Sequence, residues 1–183
     1  MNQTMQTHFA NLQASDKELQ YEAYNQIMTE INGKVDWAYD VWDQMMEDLS
    51  HSDNHRRSRA AQFLSGLAKS DPQNRMLEDF PAIWGVTRDE KFVTARHTLQ
   101  SIWKIALAGK ELRDKVMKSF TDRFINGIDE KNYTLIRFDI IQGLRNLYDE
   151  TKDQEVKDVA LELIEKEVNP KYKKKYAAVW KNA

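Results

Sequence analysis

Residues 53–67 read DNHRRSRAAQFLSGL. Asp53 is a helix-capping residue type, and Ala60, Ala61, Phe63, Leu64 and Leu67 follow at helical spacing, so a helix over 54–69 is predicted. The pattern returns. Taking Arg57 as the anchor, the anchor, +3 and +7 positions hold Arg57, Ala60 and Leu64. The same offsets give Gln20, Ala23 and Ile27, then Arg96, Leu99 and Trp103, then Arg137, Ile140 and Leu144. The four anchors are 37, 39 and 41 residues apart. A period near 40 with room for two helices per unit is the mark of stacked helix pairs.

Working outward, the helices fall into a regular series. Ser15-Asp16 opens a helix that ends at Asn32-Gly33. Asp36 is read as the cap of the next, which carries Val41, Trp42, Met45, Met46 and Leu49. Ser70-Asp71-Pro72 reads as a cap followed by proline at the first helical position, with Pro81 kinking the helix beyond it. Further helices are expected over 89–108, 110–125, 131–148, 153–168 and 170–182, and Met1 to Ala14 offers one more. Most connections are short, and no segment alternates with period 2. The fold class is therefore all-α. Residues 1–183 are expected to form one domain, with 170–183 as a capping helix.

Composition agrees. Six Gly and three Pro in 183 residues leave few helix breakers. Without Cys, disulfides, thiolate catalysis and Cys-ligated metals are excluded, which fits a cytoplasmic location. The net charge of −2 offers no global attraction to nucleic acid or anionic lipid. The first 14 residues lack the pattern of a signal peptide, and no apolar run reaches the roughly 18 residues of a membrane span.

Over roughly residues 15–168 the chain resembles HEAT-repeat proteins, the armadillo-type helical solenoids. The pairs Asp53…Arg57, Asp89…Arg96 and Asp129…Arg137 match that family's turn Asp and early basic residue. The resemblance implies a right-handed α-α superhelix of about four to five antiparallel helix pairs, with the second helix of each pair lining a concave working side. Arg57, Arg96 and Arg137 sit beside the apolar stripe, and the turn Asp is the expected partner of each. A row of anion-binding arginines is the other reading.

Opposite the apolar stripe, the +2 column holds Glu22, Arg59, Thr98 and Asp139, and the +5 column Asn25, Gln62, Ser101 and Gln142. Asn146 lies at +9 in the last unit. Repeated amides and hydroxyls both donate and accept, as an extended peptide backbone requires. Asn25, Arg59, Gln62, Thr98, Ser101, Asp139, Gln142 and Asn146 are thus the candidate binding residues, and a solvated helix face is the alternative. The resulting expectation is a non-enzymatic scaffold for a protein or peptide partner, without cofactor.

A second expectation comes from the more distant resemblance to HEAT-like DNA alkylation-repair glycosylases, whose cleft carries Trp, Asp and Arg. Trp103, Asp139 and Arg137 are the residues that match, with Asp139 expected to point away from the core, and nucleic acid would then be the partner. A subunit holding a small pigment or cofactor is a third. No P-loop, dinucleotide fingerprint, HExxH or nucleophile elbow is present. His51 and His55 have a chelating spacing but span a turn, and no metal site is assigned. Asp36, Asp40, Asp43, Glu47 and Asp48 make an acidic helix side. Lys171, Lys173, Lys174, Lys175 and Lys181 make the last helix basic, with Tyr172, Tyr176 and Trp180 on its packing face.

Overall fold

A computed structural model describes residues 1–183. It contains ten α-helices and no strand. They are α1 (Gln3–Asn11), α2 (Lys17–Glu30), α3 (Ala38–Asp48), α4 (Asn54–Leu67), α5 (Met76–Val86), α6 (Phe92–Ser101), α7 (Lys110–Asn126), α8 (Tyr133–Thr151), α9 (Gln154–Lys166) and α10 (Pro170–Val179). Short 3-10 stretches follow α4 (Ala68–Ser70) and α6 (Ile102–Ala108).

Side-chain caps start five of these helices. Asn2, Asp16, Asp53, Asp153 and Asn169 each accept a hydrogen bond from a backbone N–H of the first turn. Asp36 does not cap α3, which begins after Trp37. The Ser70-Asp71-Pro72 start is also displaced. Asp71 instead accepts from the Met76 N–H at 2.7 Å, so the chain turns before α5 begins. Pro81 lies inside α5 and cannot donate to the Leu77 carbonyl one turn back. Lys115 from α7 donates to that carbonyl instead, at 2.9 Å.

The helix expected over 89–108 tightens after Ser101. Three residues per turn put Ile102 and Ile105 in line, and both are fully buried. The stretch packs against α7. Gly109 joins the two at φ +148°, a conformation that favours glycine.

The even-numbered helices follow one another in space. α4 packs on both α2 and α6, and α8 on both α6 and α10. On the other side α7 contacts both α5 and α9. The apolar core is one contiguous cluster from Met5 to Trp180. Burying each Leu, Ile or Phe in it contributes roughly 1.5–3 kcal/mol relative to exposure. Trp42 is fully buried and ties α3 to α5 through its indole N–H, which donates to Asp79 at 2.8 Å.

Three arginines on α4, α6 and α8 pair with acids further along the chain. Arg57 donates to both oxygens of Asp89, at 2.6 and 2.9 Å. Arg96 does the same with Asp139, at 2.7 and 2.8 Å. Arg137 donates to Glu167 at 2.8 Å. The expected partner of each was the turn Asp preceding it; instead Arg57 reaches the α5–α6 turn, Arg96 reaches α8 and Arg137 the end of α9. Asp53 is occupied in capping α4, which leaves Arg57 to the acid of the α5–α6 turn. The Arg57 guanidinium holds Asp89 below its ordinary carboxylate range, with burial opposing the shift.

Candidate functional site

The even-numbered helices carry the sequence-predicted binding residues, but several of their side chains bond to the preceding even-numbered helix. Tyr24 of α2 donates to the Gln62 side-chain Oε1 at 2.7 Å. Gln62 in turn donates to Ser58 Oγ. Ser101 donates to Ser65 Oγ of α4 at 3.1 Å, and Thr98 Oγ1 to the Thr94 carbonyl. Asp139 accepts from Arg96 and, at 3.0 Å, from Gln100 of α6. Arg59 donates to the Leu12 carbonyl and to Gln20.

Thr98, Ser101 and Asp139 are therefore buried between helices and present no binding surface. This corrects their assignment, and that of Asp139 as pointing away from the core. Gln62 and Arg59 are half-buried, and both donate to groups inside the protein. Gln142 and Asn146 are half-buried and bonded to each other at 2.9 Å. Asn25 is half-buried on α2. The physical reason is the packing, since a helix between two neighbours buries its flanks as well as its apolar stripe.

Trp103 is half-buried, beside the Cα of Gly143. Arg137 and Asp139 are both committed to ion pairs with other residues. The three do not form a common surface. His51 accepts the Asp53 N–H on Nδ1, and its Nε2 lies 3.2 Å from Arg56. No group of three or more His, Asp and Glu side chains converges as a metal site would require.

A different region is shaped to receive something. The α5–α6 turn and the α7–α8 turn stand apart over a cleft of about 880 Å³. That volume lies in the range of ligand-binding clefts. Trp84 and Phe92, both half-buried, give it an apolar floor, with Leu99 and Ile136 beneath. Arg123 crosses under it and fastens the two turns together. Its guanidinium donates to Thr87 Oγ1 at 2.6 Å, to the Thr87 carbonyl at 3.0 Å and to Glu130 at 2.8 Å. It also stacks over Trp84, 5.8 Å from the ring centre. Arg123 is thus buried and fully engaged, and it fixes the walls rather than reaching a ligand.

The rim is different. Asp122 and Asp129 line the cleft, are exposed, and make no ion pair. Arg88 is more than half exposed and only 3.8 Å from Glu130. Acidic side chains around the cleft outnumber basic ones by five to four, and three of those basic groups (Arg88, Arg96 and Arg123) lie in ion pairs with carboxylates. The rim therefore offers carboxylate oxygens to a cation.

One signal in the sequence marks this place. Asp-Glu-Lys occurs at 89–91 and again at 129–131, and the acidic pair of each copy lines the cleft. The aromatic floor carries no such sign, because Trp84 sits on an apolar helix face and reads as core.

Compared with models of known protein families the chain matches none, and no curated protein matches it in sequence.

Proposed function

We propose that the protein is a HEAT-like helical-repeat scaffold, working in the cytoplasm, that binds a segment of a partner protein. The segment seats in the cleft between the α5–α6 and α7–α8 turns. The observation that carries this reading is the half-buried Trp84 and Phe92 floor under a rim where Asp122 and Asp129 lack cationic partners. Aromatic floors supply apolar contact area at low entropic cost. The acidic rim selects Lys or Arg beside the anchor and steers it in. The occupant is thus an apolar side chain flanked by basic residues. The HEAT-like stack draws its support from the 40-residue period, the neighbour-to-neighbour packing of the even-numbered helices and the arginine ion pairs that α4, α6 and α8 make with later segments.

The test is selection of random displayed peptides on the purified protein, followed by affinity measurement of the winners. The expected consensus has an apolar residue within a few positions of Lys or Arg. Phe92→Ala, and separately Asp122→Asn with Asp129→Asn, should each weaken the winners about tenfold or more, with the helical circular-dichroism signal kept. Winners without a basic residue, or winners indifferent to all three positions, would overturn the cleft as the binding site.

A further inference from the structure

Away from the cleft, two lysines meet on one residue. Lys69, in the 3-10 turn after α4, donates to the Asn32 backbone carbonyl at 2.7 Å. Lys104, in the 3-10 stretch after α6, donates to the Asn32 Oδ1 at 3.0 Å. Three elements distant in sequence thus bring two ammonium groups together just past the end of α2. No carboxylate lies within ion-pair distance of either lysine, although the chain forms many ion pairs elsewhere. Both lysines are half-buried.

The end of α2 accounts for only part of this. A helix C-terminus carries the equivalent of roughly half a negative charge, against two positive ones here. About one and a half positive charges stay uncompensated at a partly desolvated place. The Lys104 amine is accordingly pushed below its ordinary range by burial first and by the charge of Lys69 second. The Asn32 side-chain NH₂ makes no hydrogen bond within the protein, so a third donor stands beside the two ammonium groups.

We propose that Lys69, Lys104 and the Asn32 amide form a binding site for a small oxyanion of the phosphate kind. Several oxygens on one centre can accept from all three donors at once, and a divalent charge offsets the surplus. A single carboxylate has fewer acceptors to offer three donors. The site is independent of the partner cleft, whose residues it does not share.

The probe is inorganic phosphate, with pyrophosphate as a second arm and sodium chloride at matched ionic strength as the control. Amide NMR spectra of the full chain are followed through each titration. Saturable shifts at residues 32–33, 69–70 and 104–106, absent with chloride, are expected. Lys104→Met and Lys69→Met, which keep the aliphatic stems, should each weaken the effect about tenfold or more. Pyrophosphate binding more tightly than phosphate would identify a phosphoanhydride-bearing ligand, and equal binding a single phosphate group. Shifts that fail to saturate, that chloride reproduces, or that persist in both methionine variants would overturn the proposal.

Discussion

The Arg137–Glu167 pair gives the sharpest test of how α8 is joined to the last two helices. Both side chains are nearly out of solvent, at 8% and 1% exposure, and Arg137 Nη1 lies 2.8 Å from the Glu167 carboxylate. Arg137 also donates through Nε to the Phe124 carbonyl at 2.9 Å and lies 4.5 Å from the Phe124 ring centre. The other Glu167 oxygen accepts the Asn169 N–H at 2.9 Å, so the carboxylate connects α8 to the start of α10. In Glu167→Gln the Asn169 contact can survive, but Arg137 keeps its charge without a carboxylate. Removing one member of a buried pair costs about 3–5 kcal/mol. For a chain of this length that is a fall of about 6–20 °C in Tm. Urea unfolding at constant m gives the free energy directly. The double variant Arg137→Met with Glu167→Gln removes both charges and should lose no more than about 1–2 kcal/mol. A loss below about 1 kcal/mol in the single variant would be typical of an exposed pair, and with a double variant worse than the single it would refute the buried pair.

Three further outcomes follow from the same structure. Asp89 has its carboxyl held below its ordinary 3.8 by Arg57, so the unfolded chain takes up that proton first. Its stabilising contribution is complete above that ordinary value and fades as pH falls through the lower folded value. Urea midpoints measured on both sides of pH 4 should show a shallower acid limb in Asp89→Asn than in the native protein. Gly109→Ala forces a side chain into φ +148°, although the space around it is open. It should cost on the order of 1–3 kcal/mol by chemical denaturation, and an unchanged midpoint would contradict the observed junction. Lys115→Met leaves the Leu77 carbonyl, one turn before Pro81, without its donor. A loss of about 1 kcal/mol is expected, together with faster hydrogen exchange in α5.

The sequence by itself determined the all-helical class and which side of most helices is apolar. Caps at Asp16 and Asp53 act over a few residues, so they can be read locally and lie where expected. The apolar stripes of Ala23 and Ile27, of Ala60 and Leu64, and of Ile140 and Leu144 point into the core for the same reason. Local reading failed where distant chain supplied the partner. Asp71 reads as a cap before Pro72, yet it also accepts the hydroxyl of Tyr39 from α3. The carbonyl freed by Pro81 is met by Lys115.

The binding face shows the limit most clearly. The +2 and +5 positions lie about 140–200° around the helix from the anchor, and a helix with one buried side would expose them. In this protein α4, α6 and α8 each have neighbours on both flanks, so Thr98, Ser101 and Asp139 meet another helix instead of water. The cleft has the opposite origin. Its walls come from two turns about 40 residues apart, held by Arg123, and only the packing of α5 beside α7 opens the gap between them. Periodicity records which side of a helix is apolar. Which polar side remains open to a partner depends on where the neighbouring helices lie, and that is set by tertiary packing.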